Sequence, residues 1–165
     1  MQATAPVVDE AAPQLRGLFF NARDKLAFAI AAGVTFVGYL CTLAPSVTLE
    51  DSGEFLTAAH HLGVPHPPGY PFYVALLKAL ALIIPSAKYV QLAAGTIGSL
   101  AALWLVRKLG ALMFGAAAGW LAVAILILQP SFWLAGIGNQ VRTFLAAGGV
   151  AVALCVWRAW HSFSA

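Results

Sequence analysis

Apolar residues fill five runs along the chain, and polar ones gather between them. Runs 26–43, 89–106, 111–128 and 141–157 are 17 or 18 residues long, enough for a helix to cross the hydrocarbon core of a bilayer. The fifth run, 72–84, has 13 residues, is closed by Pro85 and carries Lys78 near its middle. At about 1.5 Å per residue it reaches about 20 Å, short of a core about 30 Å thick. It therefore predicts a juxtamembrane or partly inserted helix. Before it lies an amphipathic stretch, 51–62, whose Phe55, Ala58, Ala59 and Leu62 fall on one helical face. Asp51 stands at its N-cap with Glu54 three residues later, the spacing of a capping box, and Gly63 is the expected stop. Pro65, Pro67, Pro68 and Pro71 follow and cannot continue a helix.

Charge then orients these elements. Arg16, Arg23 and Lys25 cluster before the first long run and should stay cytoplasmic, which sends the chain outward at Ala44. If run 72–84 does not cross, Arg107, Lys108 and Arg158 also fall on the cytoplasmic side. The prediction is an all-α integral membrane protein of about four transmembrane helices, with juxtamembrane helices in the first outer loop. Residues 1–25 form a flexible cytoplasmic tail, 26–157 the transmembrane module and 158–165 a cytoplasmic end. The outer loops are 45–88 and 129–140. The N-terminal residues lack a cleavable signal, so the first run is read as a retained span. Gly115 and Gly119 match a small-residue packing motif.

Composition agrees. The chain is 61% hydrophobic and 9% charged over 165 residues, with mean hydropathy +0.85, far from the roughly 25% charge of soluble domains. The net charge of +3 is small and dispersed, so nucleic acid is not an expected partner. Cys41 and Cys155 lie in apolar runs and read as buried small residues, not as a disulfide. Against this background the segment 49–71 stands out. It holds three of the six carboxylates (Glu50, Asp51, Glu54) and three of the four histidines (His60, His61, His66). Charge beside hydrocarbon is costly unless it is solvated or has work to do.

Asp51 and Glu54 share a helical face. They could serve as a cap and capping box, or as paired carboxylates that shift each other's pKa or jointly hold a divalent ion. His66 could donate to a phosphate or sugar oxygen, or simply pin the proline turn. His60, His61 and His66 have no zinc spacing. No metal is assigned, a divalent cation on the carboxylates being the one cofactor the pattern allows. Arg142, at the outer end of the last span, suits a lipid phosphate or a snorkelling position. Tyr70, Phe72, Tyr73, Phe132 and Trp133 belong at headgroup level.

The run TLAPSVTLEDSGEF…LGVPHPPGYPFY, together with Pro130-Ser131-Phe132-Trp133, resembles a membrane family of bacteria and eukaryotes related to protein O-mannosyltransferases. Its pattern reads roughly TLAPTVTFWDSGEF…LGVPHPPGYPLY and Pro-Thr-Phe-Trp. The resemblance covers about residues 27–157. It implies the N-terminal module of a GT-C type glycosyltransferase, which takes a sugar, mannose in the relatives, from a polyprenyl-phosphate carrier on the outer face. The acceptor it implies is a protein Ser or Thr hydroxyl, or a glycan. It also implies that the first outer loop carries the catalytic acid. On that reading Asp51 is the base and Glu54 its catalytic neighbour, while His66, Tyr70, Gln140 and Arg142 bind substrate. The expected location is a bacterial inner membrane with the site facing the periplasm. The chain departs from the pattern in two places. Glu50 stands where an aromatic residue is usual, and Gln140-Val141-Arg142-Thr143 stands where Glu-Val-Tyr-Thr is expected. A non-catalytic membrane subunit or truncated relative with the same fold is the alternative. A transporter fragment is disfavoured, since the predicted spans hold almost no ionisable groups.

Overall fold

The computed structural model describes residues 21–43, 45, 51–138 and 141–163, and among these all regular structure is α-helical. The helices are α1 (Ala22–Thr42), α2 (Ser52–His61), α3 (Pro71–Ile83), α4 (Ala87–Phe114), α5 (Ala116–Leu128), α6 (Pro130–Ile137) and α7 (Arg142–Phe163). Three of them, α1, α4 and α7, are long and apolar enough to span a membrane; α5 and α6 make a fourth span if the bent pair, 65° apart, counts as one. The fold is therefore the expected all-α membrane architecture.

Helix α4 is the central post. Half of its most apolar stretch is buried, against 11% for α1 and for α7. It packs most extensively on α5 and α7 and also touches α1, α3 and α6. Close approach to α6 depends on glycine: a Cβ at Gly95 would collide with the carbonyl of Gly136. The outward faces of α1 and α7 carry exposed Ile30, Val34, Val37, Val152 and Val156, a surface suited to lipid and costly in water. Hydroxyls within α1 are satisfied locally, Thr35 and Thr42 each donating to the carbonyl four residues back, as hydrocarbon requires.

Two side-chain bonds set the relative direction of α1 and α4. Asp24 meets Arg107, and Tyr39 meets Ser99 at 2.9 Å. Advancing along α1 thus means retreating along α4, so the two run antiparallel. The chain between them starts and finishes at the same end of the bundle, which means α3 makes no net crossing. Its 13 residues, ended before Pro85, agree with that.

Several expectations need correction. Helix α1 starts at Ala22, so Arg23, Asp24 and Lys25 are helical rather than part of a tail. Helix α4 does not stop at Val106 but continues to Phe114, since Arg107 is neutralised inside the bundle and has no need to reach water. Gly115 (φ +91°) is a turn between α4 and α5 and not half of a packing motif; Gly119 alone makes the close contact, against the backbone of α4. Most of the segment 129–140 is helix α6, with Pro130 at its first turn, where a missing N–H costs nothing. Helix α7 continues past Trp157 to Phe163. Cys41 and Cys155 are free as expected, but they are exposed on the outer faces of α1 and α7.

Candidate functional site

Helix α2 is built on Phe55, Ala58 and Ala59, which bury their face against Tyr73, Val74 and Leu77 of α3 and Val90 and Ala94 of α4. Leu62, expected on that face, is exposed and instead ends the helix in a left-handed conformation (φ +52°). Gly63 N–H then donates to the Ala58 carbonyl, a Schellman-like stop placed one residue earlier than glycine alone would put it. Lys78 Nζ of α3 donates to the His60 carbonyl at 2.7 Å and fastens the same end.

At the other end of α2 the expected capping box is absent. Asp51 has helical backbone angles and makes no side-chain cap. Glu54 turns away from its own helix, and its carboxylate accepts the backbone N–H of His66 at 2.6 Å. This bond clamps the proline segment onto α2. The Pro67–Pro68 peptide is cis, and Gly69 and Tyr70 both have positive φ (+90° and +45°). A left-handed aromatic residue is uncommon and costs of order 1–3 kcal/mol, a strain that gathers at functional positions. The reversal folds the aromatic rings together. Phe55 lies edge-on to His66, Tyr70 and Tyr73 at centroid distances of 5.7, 5.7 and 5.2 Å. Burial pushes the Tyr73 phenol well above the ordinary tyrosine range, so it stays protonated.

This packing brings three polar groups into one place. One ligand-type atom from each of Asp51, Glu54 and His66 lies within 4.8 Å of the others. His66 Nε2 is 3.8 Å from Asp51 Oδ2, with the two side chains 39% and 46% exposed, so the cluster is open to solvent. His66 is 5.9 Å from the Tyr70 ring. Tyr70 in turn lines an apolar groove of about 600 Å³ between α3 and α7, with Pro68, Phe72, Tyr73, Leu76 and Phe144 among its walls.

Four of the six sequence-predicted residues, Asp51, Glu54, His66 and Tyr70, thus meet. Arg142 does not join them. It is exposed at the start of α7 and lines a separate hollow of about 230 Å³ with Gln129, Ser131 and Thr143. Its neighbours Val141 and Phe144 face the groove instead. Gln140 and Glu50 lie outside the described residues. His60 and His61 meet edge-on at 4.7 Å on the exposed side of α2, and His61 shares a shallow hollow with Glu54.

Sequence reasoning missed a second polar centre. Asp24 Oδ1 accepts from Arg107 Nη2 at 2.7 Å and from Trp120 Nε1 at 3.0 Å, and the guanidinium lies 5.0 Å over the Trp120 ring. It ties α1, α4 and α5 together at the end of the bundle opposite the cluster. The available signal was a lone carboxylate inside the basic group before the first span.

Comparison with known proteins points one way. The family model described as the protein O-mannosyl-transferase TMEM260 N-terminal domain matches residues 51–162. Protein O-mannosyl-transferase TMEM260 of Mus musculus is 37% identical over 116 residues, 68% of this chain and 16% of that protein. Protein O-mannosyl-transferase tmem260 of Dictyostelium discoideum is 32% identical over 108 residues, 62% of this chain and 13% of that protein. The chain thus spans less than a fifth of the length of either relative. No solved structure matches.

Proposed function

The chain belongs to the family of the protein O-mannosyl-transferase TMEM260 N-terminal domain, and from that premise we propose that it carries the proton-accepting and donor-binding part of a glycosyl transfer site. The donor is a polyprenyl-phosphate sugar, mannose being the sugar that the relatives' names suggest, and the acceptor is a Ser or Thr hydroxyl of a protein. The membrane is a bacterial inner membrane, with the cluster on its periplasmic face and Arg107, Lys108 and Arg158 on the other side. The module is the bundle of α1 to α7, with α2, α3 and α6 toward its outer side.

The chemistry needs a base, a place for the carrier and a response to the leaving phosphate. Asp51 is the base. As the acceptor oxygen bonds to the anomeric carbon, its proton passes to the Asp51 carboxylate. The bond from that carbon to the phosphate oxygen breaks, and the electron pair leaves on the polyprenyl phosphate. Glu54 holds the proline segment in place through the His66 N–H and so sets His66 beside Asp51. The apolar groove past Tyr70 takes the first isoprene units of the carrier. Gln140 and Arg142 serve substrate, Arg142 away from the cluster in the hollow between α5, α6 and α7.

One observation carries this reading. A half-exposed, uncapped Asp51 connects through His66 to Tyr70 at the edge of a groove of lipid-like polarity. The test is transfer of radiolabelled mannose from polyprenyl-phosphate-mannose to a Ser/Thr peptide by the chain in liposomes, with Asp51→Asn beside it. Loss in the variant supports the reading, and equal transfer removes Asp51 as base. Transfer by neither protein favours a second reading, a non-catalytic subunit or partial module. Gln140 in place of the expected Glu motivates that alternative.

A further inference from the structure

We infer that Asp51, Glu54 and His66 form a binding site for one divalent cation of the Mn2+ class, and that this cation neutralises the phosphate leaving the sugar donor. The second half rests on the transferase reading above; the first does not.

The histidine provides the strongest argument. His66 Nδ1 lies 3.1 Å from the Pro67 carbonyl. A carbonyl only accepts, so Nδ1 carries a proton, and in the neutral ring Nε2 presents a lone pair. An imidazole whose far nitrogen donates to a backbone carbonyl is the usual arrangement of a metal-ligating histidine. Here Nε2 faces Asp51 Oδ2 at 3.8 Å, too far for a hydrogen bond. With the ring neutral, that lone pair and the two carboxylates turn three donor atoms toward one gap, all within 4.8 Å of one another, which a cation can bridge. The third donor is fixed nearby, since the bond from Glu54 to the His66 N–H holds helix and loop together whatever the side chains bind.

Charge gives an independent argument. A departing phosphate needs positive charge or donors, and two carboxylates beside it would repel it. Among the described residues, the nearby cationic side chains are directed elsewhere. Lys78 is bonded to the His60 carbonyl, and Arg142 opens on the α5–α6–α7 hollow. A divalent ion reverses the sign of the cluster. Its partial exposure leaves coordination positions for water or phosphate oxygens. Two oxygens and one imidazole nitrogen suit Mn2+ better than an all-oxygen Mg2+ or Ca2+ site or a closed sulfur-nitrogen zinc site. Asp51 binds through one oxygen, and its other remains free to take the acceptor proton.

The test is Mn2+ titration of the full chain in detergent micelles, followed by electron paramagnetic resonance, with no donor or acceptor present. The expected result is one saturable Mn2+ per chain with nitrogen hyperfine coupling. In His66→Ala the coupling should vanish and affinity should fall about 10–100-fold or more, since even an outer partner of a ligand contributes that much. That variant keeps the backbone N–H bonded to Glu54, so the loop clamp survives and the loss reports the ligand. His60→Ala/His61→Ala should bind as the parent does. No saturable binding, or undiminished binding by His66→Ala, would overturn the site whatever the transfer assay says. Transfer that survives EDTA would overturn the cation's role while leaving Asp51 as base.

Discussion

Among the described residues, two acidic centres stand at opposite ends of the bundle, and they differ in what their carboxylates have left to do. Asp24 is met by Arg107 at 2.7 Å and by Trp120 at 3.0 Å, with the guanidinium 4% and the carboxylate 19% exposed. Its Oδ1 accepts from both neighbours, and its charge is matched. Asp51 is 46% exposed, caps nothing and stands 3.8 Å from the His66 imidazole. The first arrangement fastens three helices. The second is held in place by its surroundings yet leaves its oxygens free, which is what a base or a ligand needs. In a chain with six carboxylates, the informative one is the carboxylate whose bonds are not already satisfied.

The largest effect should fall on chemistry with no effect on folding. Asp51→Asn should reduce sugar transfer about 10²–10⁴-fold, the range that a positioned general base contributes. Helicity and the unfolding midpoint should stay those of the parent. A drop in stability that matched the loss of transfer would make Asp51 another fastener and erase the contrast.

At the other end the pattern should reverse. Arg107→Met leaves a largely buried carboxylate without its cation, which costs about 3–5 kcal/mol in comparable pairs. Partial exposure of Asp24 should place this case near the lower limit. Replacing both partners, Arg107→Met with Asp24→Leu, should recover most of the loss, since a shape-filling apolar pair escapes the desolvation cost. Reversible unfolding in mixed micelles measures both. Transfer per folded molecule should be unchanged, and selective loss of transfer would mean that the two ends communicate.

Much of this contrast was legible in the sequence. The cluster lay in one motif, DSGEF…VPHPPGYP, because its members fall within a 20-residue segment and proline and helix spacing confine them. The role of Glu54 was not legible. A Glu three residues after Asp51 satisfies the capping-box spacing, but its partner is twelve residues ahead on a loop whose fold depends on the positive φ of Gly69 and Tyr70. The Asp24–Arg107 pair spans 83 residues. The positive-inside rule assigned Arg107 to a membrane boundary and was silent about what it touches. Helix α6 was hidden because Pro130 reads as a break when it is in fact a first-turn residue. Local spacing was readable, whereas long-range partners were not.

Glu54→Gln probes the middle ground. The neutral amide still offers an oxygen to the His66 N–H, but the bond loses its charge assistance. On a residue exposed to solvent this should cost about 1 kcal/mol. The visible change should be local: faster hydrogen exchange at the His66 amide while α4 amides keep their protection. Global destabilisation would place Glu54 with Asp24 among the fasteners.

The smallest predicted effect tests how the closed centre divides its work. Asp24 Oδ1 accepts two bonds, one from a guanidinium and one from an indole. Trp120→Phe removes the indole N–H but keeps an aromatic face beneath Arg107. The carboxylate retains its ionic partner, so the loss should be that of one hydrogen bond to a charged group, trimmed by partial exposure to about 1 kcal/mol. The same unfolding measurement reads it. If Trp120→Phe costs as much as Arg107→Met, the indole is the principal anchor and the guanidinium is there mainly to cover its ring. If it costs nothing, water replaces the indole, and Asp24 is less closed than its 19% exposure implies. Either result would narrow the gap between the two acidic centres, and the predicted intermediate loss keeps Asp24 as the satisfied one.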